Sequence, residues 1–271
     1  MTRTLRYSAV IVLIVLWILP LYLVLANAAT PSGEYAEKPI WAPPTSFGLL
    51  ENMATAWQAA NLGPSVFSTL LYAVVGAGAA VLVAALAAFA ITALRVPHGF
   101  AWFMLIYSGT IFPFQMYLAP LFNGYSKTGL YDTRVGLLLL YTAVATPFAT
   151  FIIRNHFSGI PVELSEAARL DGAASRVVFW RIYMPLSTNA LAAVFVFQFT
   201  WIWNEFLFGL TLSRSSDVRP IMTALAALQG QYASTSIPVV LAGALAVSVP
   251  TLVLFIVLQR LFVQALAGTG K

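Results

Sequence analysis

Cysteine is missing altogether from the 271 residues. That excludes disulfide staples, thiolate metal sites and cysteine nucleophiles, and leaves the redox compartment open. Charge is scarce as well: only 8% of residues are Asp, Glu, Lys or Arg, against about 25% in ordinary soluble domains. With 60% of the chain apolar, a water-soluble fold is excluded. The two histidines, His98 and His156, are too few for most haem or multi-metal schemes. A net charge of +5 would suit nucleic acid, but the basic residues are scattered between apolar segments instead of gathered in an aromatic-laced patch. They argue for membrane topology and against a nucleic-acid partner.

What the chain does have is long apolar runs, at 7–29, 66–94, 100–122, 136–153, 188–210 and 238–258. A bilayer core about 30 Å thick takes about 20 apolar residues per helix, so a chain of this length holds about six spans with short loops. The runs show little of the period-2 alternation of a membrane barrel, and lipid leaves helices as the other spanning structure. The predicted fold class is therefore an all-α integral membrane protein with six transmembrane helices. Six spans put both termini on one side. Placing them in the cytoplasm puts Arg3, Arg6, Arg95, Arg154, Arg169, Arg176, Arg181, Arg260 and Lys271 inside. Only Lys38, Lys127, Arg134, Arg214 and Arg219 then lie outside, the asymmetry expected when the N-terminus is internal.

The resulting division is a cytoplasmic N-terminus at 1–6, a first span at 7–29, an external loop at 30–63, a five-helix core at 64–260 and a cytoplasmic tail at 261–271. The core contains a cytoplasmic loop at 155–187 and an external loop at 211–237. The first span also has features of a signal peptide, since Arg3 and Arg6 precede it and Ala26-Asn27-Ala28 resembles a cleavage site. Its length exceeds the usual core of about 7–15 residues, and its removal would reverse the parity of the topology. It is read as a retained span, a reading checked by the mass of the intact N-terminus.

The cytoplasmic loop carries the most information. Pro161 is placed to open a helix, Glu163 and Glu166 fall in its first turns, where the helix dipole favours acids, and Gly172 stops it. A helix of about ten residues is marginal alone and needs a surface to pack on. Ala167, Ala168, Ala173 and Ala174 give it a low profile that permits close approach of a partner. On its own this is an amphipathic surface helix whose Glu166 and Arg169 form an i,i+3 pair worth about 0.2–0.5 kcal/mol.

The run Glu166-Ala167-Ala168, three residues, Gly172, nine residues, Ile182 and then Met184-Pro185 resembles the EAA loop of binding-protein-dependent ABC importer permeases. Met184 stands where those proteins usually have Leu, a swap that conserves volume. The resemblance implies that the loop is a coupling helix docked in a cytoplasmic ATPase subunit, with Glu163, Glu166, Ala167, Arg169, Asp171 and Gly172 as the coupling residues. Glu166 would meet a basic residue of the ATPase, and Gly172 would allow the turn that seats the helix. Ile111-Phe112-Pro113-Phe114-Gln115, Arg169-Leu170-Asp171-Gly172-Ala173, Trp203-Asn204-Glu205-Phe206-Leu207-Phe208 and Gln259-Arg260-Leu261-Phe262-Val263 extend the likeness to the maltose-type carbohydrate permeases.

That resemblance implies a type I (MetI-like) permease fold in the bacterial inner membrane. It implies a second homologous permease subunit, two cytoplasmic ATPase subunits, an extracytoplasmic solute-binding protein, membrane lipid and a sugar substrate as partners. This chain would bind no cofactor, ATP and Mg belonging to the ATPase, whose closure would rotate the transmembrane halves through the docked loop. The stretch 229–236 occupies the place of a scoop that enters the binding protein, with Gln229, Gln231 and Tyr232 as candidates; an ordinary solvated turn is the alternative. The stretch 263–271 resembles a tail inserted between ATPases, or is a frayed end.

Glu205 is the only formal charge within a predicted span. An acid at a helix centre costs about 2.5–3.5 kcal/mol on insertion scales, so such a residue faces a cavity or a partner. Gln198, Trp201, Asn204 and Glu205 share that helix and, with Gln115, are the translocation-path candidates, since an aromatic ring among amides suits a neutral polyol. Interhelical hydrogen bonding, worth about 0.6 kcal/mol per pair, accounts for Asn204 and Glu205 equally well. Pro113 and Pro120 should kink the third span. No G-x-x-x-x-G-K-[ST] loop exists in the chain, so nucleotide must bind elsewhere. Rival readings are a secondary transporter with Glu205 as proton carrier, an intramembrane hydrolase and a bare scaffold.

Overall fold

The structure, a computed structural model, describes residues 3–230 and 235–267. Among these every regular element is helical, as lipid requires of a backbone that must pair its own polar groups. In chain order the helices are α1 (Arg3–Ala28), α2 (Leu49–Ala59), α3 (Leu62–Thr92), α4 (Gly99–Ser108), α5 (Gln115–Thr128) and α6 (Arg134–Phe157). They continue with α7 (Val162–Leu170), α8 (Ser175–Leu186), α9 (Thr188–Trp203), α10 (Leu207–Leu212), α11 (Ile221–Ala226) and α12 (Ile237–Ala267). α3 and α8 each contain a π turn, at Tyr72–Gly76 and Phe179–Tyr183.

Among the described residues four stretches are long and apolar enough to cross a membrane: Leu5–Ala28, Leu62–Thr92, Arg134–Phe157 and Ile237–Val257. They coincide with the first, second, fourth and sixth predicted spans. The third, expected to kink at Pro113 and Pro120, and the fifth are each broken. In 100–122 the helix stops at Ser108. The amides of Gly109, Thr110 and Ile111 turn back to the carbonyls of Ile106, Tyr107 and Ser108, a tightening into i→i+3 bonds, and Pro113 has no N–H to carry the ladder on. Pro120 lies inside α5 without ending it. In 188–210 the helix stops at Trp203 and resumes at Leu207, and α8 meets α9 at 77°.

The chain divides into two compact units, Met1–Pro64 with Thr223–Val249, and Ser65–Met222 with Pro250–Lys271. In the first, α1 is scarcely covered by the rest of the chain, as suits a helix facing lipid. The loop after it is stitched to it by two asparagines: Asn27 Nδ2 donates to the carbonyls of Leu23 (2.7 Å) and Ile40 (2.8 Å), and Asn52 Nδ2 to those of Ala28 (2.9 Å) and Thr30 (2.8 Å). Ser32 and Ser236 share a hydroxyl–hydroxyl hydrogen bond of 2.6 Å.

In the second unit α3 and α6 form the centre, where Ala84, Ala85, Ala88 and Ala149 are buried and let the backbones approach. Aromatic rings close the end near α7: Phe89 packs on Phe179 and Tyr183, and Phe157 on Tyr183, with centroids 5.0–5.3 Å apart.

Candidate functional site

α7 begins just after Pro161 and ends in a Schellman motif. The Gly172 amide bonds the Arg169 carbonyl at 3.0 Å, and the Ala173 amide bonds that of Ala168 at 2.9 Å. Gly172 sits at φ +81°, and a Cβ added to it would meet nothing within 4 Å, so left-handed geometry, and not crowding, selects glycine here. One side of α7 is anchored: Ser165 is buried, and Ile160, Ala168 and Ala173 pack against the core around Phe89, Ala93 and Phe157. The other side is bare. Glu163, Glu166, Ala167 and Asp171 are exposed, and Leu170 is 89% exposed, an apolar group held out on a polar helix. The expected Glu166–Arg169 pair does not form among the described residues. The Arg169 guanidinium instead reaches the end of α3, where Nη2 donates to the Ala93 carbonyl at 3.0 Å.

The intramembrane candidates separate. Glu205, 8% exposed, lies in the gap between α9 and α10 and caps the second helix. Its carboxylate accepts from the amides of Phe208 (2.8 Å) and Gly209 (3.1 Å) and from the Tyr141 hydroxyl (2.8 Å). Gln198 is buried and donates to the Ala145 carbonyl at 3.0 Å. Trp201 packs on Phe114 and Tyr141. Gln198 and Trp201 border a cavity of about 350 Å³ at the break in the third predicted span, together with Thr110, Phe114, Phe148 and Phe197. Asn204 and Gln115 are exposed, and Asn204 Nδ2 donates to the Thr200 carbonyl at 2.8 Å. Of the scoop candidates, Gln229 is exposed, whereas Gln231 and Tyr232 lie outside the described residues.

A further cluster went unseen in the sequence, because 83 residues separate its halves. Asp132 Oδ1 accepts from the amides of Arg214 (2.8 Å) and Ser215 (2.9 Å), and Oδ2 from the Ser215 hydroxyl. Burial pulls the Asp132 carboxyl up, but these hydrogen bonds and the neighbouring Arg214 charge outweigh it and hold the group below its ordinary value. The chain beyond is pinned to α3. Tyr72 Oη donates to the Val218 carbonyl at 2.8 Å, Ser68 Oγ donates to the Asp217 carbonyl, and the Ile221 amide donates to Thr69 Oγ1 at 2.8 Å.

Residues 2–267 match the family described as "Binding-protein-dependent transport system inner membrane component". The chain belongs to this family. It is 30% identical to the diacetylchitobiose uptake system permease protein NgcG of Streptomyces coelicolor, over 94% of this chain and 86% of that one. It is 29% identical to the melibiose/raffinose/stachyose import permease protein MelC of Bacillus subtilis, over 92% and 90%. Its fold is that of a chain in the crystal structure of a bacterial ABC transporter involved in the import of the acidic polysaccharide alginate, with a TM-score of 0.77, 20% identity and coverage of 96% and 98%.

As a member of this family the chain is a permease subunit of an ABC importer, an inner membrane component with several membrane-crossing helices. The secondary-transporter alternative finds no support in these relationships. A bare scaffold and an intramembrane hydrolase are likewise set aside by a family whose members transport.

Proposed function

We propose that this permease is one half of a pore for a sugar or oligosaccharide, and that a separate ATPase drives it through α7. A second, homologous permease completes the pore, two cytoplasmic ATPase subunits bind ATP and Mg, and an extracytoplasmic solute-binding protein delivers the solute. The observation that carries the reading is the two-sidedness of α7: anchored through Ala168 to the core, it holds Glu163, Glu166, Ala167 and Leu170 free on the opposite side. A nine-residue helix has little stability of its own, so its anchoring makes it a fixed surface onto which a partner can dock. Leu170 supplies an apolar knob and the two glutamates supply charge for a basic rim. Disaccharide and trisaccharide transport by relatives supports the substrate class, and the aromatic-lined cavity beside Gln198 and Trp201 suits the apolar face of a pyranose.

The test is uptake by the assembled transporter with Glu166→Lys or Gly172→Asp. Glu166→Lys reverses a charge on the free face. Gly172→Asp places a charged side chain at the turn that ends α7, on left-handed backbone that Asp tolerates better than most residues. Both proteins should reach the membrane and lose ATP-dependent uptake. Normal uptake by both, or an assembly purified without an ATPase touching residues 162–174, would overturn the reading. The solute is found by asking which saccharide raises ATP hydrolysis in the presence of the binding protein.

A further inference from the structure

α3 ends at Thr92 without a basic residue in its last turn, leaving the negative end of a 31-residue helix without a charge partner of its own. The partner comes from 76 residues away: Arg169 Nη2 donates to the carbonyl of Ala93, the residue that caps α3. Ala93 is buried and belongs to the same cluster against which Ala168 packs. α7 is therefore attached to the end of α3 by a charged hydrogen bond and, through Ala168, to the apolar cluster that Ala93 belongs to. Toward its other end α3 holds the 217–221 segment through Ser68, Thr69 and Tyr72. At 1.5 Å per residue, α3 spans about 46 Å.

We propose that Arg169, an exposed residue whose guanidinium turns to the end of α3, is a positioning residue that latches the ATPase-contact helix to α3, so that α3 carries displacement of α7 to the 217–221 segment. The proposal rests on the reading of α7 as the ATPase-contact helix. It assigns Arg169 to transmission within this chain and removes it from the docking surface itself. An interaction of this kind shows as coupling between two ends of one element.

Because the chain has no cysteine, a single Ser216→Cys reporter, exposed and next to the tethered segment, can be labelled with a membrane-impermeant maleimide in the full complex. Labelling is compared without nucleotide and after trapping with Mg-ATP and vanadate, so no solute need be known. With Arg169 present, the rate should change about 5-fold or more between the two states, the lower end of usual coupling between sites. In Arg169→Ala the change should shrink to within about twofold, while the ATPase still copurifies in wild-type amount. Arg169→Lys, which keeps a cationic donor, should restore more of the change than the neutral Arg169→Gln.

Three results would overturn the latch: no nucleotide-dependent change at Ser216→Cys with Arg169 intact, an undiminished change in Arg169→Ala, or loss of the ATPase from Arg169→Ala. The last would make Arg169 a docking residue. Should Arg169→Ala fail to accumulate, the order of Arg, Lys and Gln in the same assay decides, equal responses counting against the latch. Failure of the underlying reading has a different signature, since no ATPase would then copurify with the unmutated chain.

Discussion

An acid is tolerated at position 205 because three donors converge on it. Two are the free amides that begin α10 and one is the Tyr141 hydroxyl. At a helix start, a carboxylate satisfies orphan N–H groups and meets the positive end of the dipole. The side chain is thereby occupied internally, which assigns it to holding the gap between α9 and α10. Glu205→Ala leaves those donors unpaired in a buried site, at about 1–3 kcal/mol for each. Glu205→Gln keeps an amide oxygen as acceptor. Thermal unfolding of the detergent-extracted complex should fall by several degrees for Glu205→Ala and much less for Glu205→Gln. Equal losses would show that charge, and not hydrogen-bond acceptance, is what position 205 requires.

Interrupted helices are the second recurring feature. The third predicted span breaks at 109–114 and the fifth at 204–206, and the cavity of about 350 Å³ lies beside the first of these breaks. Gly109 marks a close approach there: a Cβ on it would come within 3.0 Å of Pro147 Cγ in α6. Irregular backbone at membrane depth is tolerated where protein or a cavity, instead of lipid, surrounds it.

The connection between α5 and α6 is tied to the chain after α10 by Asp132, whose own backbone is left-handed at φ 54°, a conformation to which Asp adapts. Its carboxyl is held below the ordinary carboxylate range by its hydrogen bonds. The folded state thus favours the ionised form. The stabilisation is fully present above the unfolded value of about 3.9 and disappears as pH falls through the lower folded value. The protection of the Arg214 and Ser215 amides against hydrogen exchange, measured relative to the intrinsic rate at each pH, should therefore fall on acidification below about pH 4. Asp132→Asn should exchange faster at neutral pH and lose most of that acid dependence; an unchanged profile would remove the clamp.

At the scale of the molecule, orientation follows from the placement of Lys and Arg. On the six-span topology nine basic residues lie on the side of 155–187 against five on the side of 30–63, and the positive-inside rule supports the proposal that 155–187 is cytoplasmic. A single Ser175→Cys should be labelled by an impermeant maleimide only from the inner face of the membrane, and Ala36→Cys only from the outer face. Both positions are exposed in the folded chain. The reverse pattern would invert the topology and place α7 out of reach of a cytoplasmic ATPase.

The amino-acid order alone determined the helical class, because apolar runs near 20 residues have no other stable form in lipid. It also determined the short helix Val162–Leu170 and its end, because Pro161 and Gly172 are local start and stop signals. Tertiary structure decided where the polar side chains go. Whether Arg169 pairs with Glu166 or Ala93, whether Glu205 faces a pore or caps α10, and whether Asp132 is free or bound to Ser215 all depend on groups 3 to 83 residues away. The break in the fifth span belongs to the same class, whereas Pro113 announces the one in the third. Hydropathy measures how well a side chain suits lipid, whereas a broken helix is stabilised by the partners that its freed backbone groups find elsewhere in the fold.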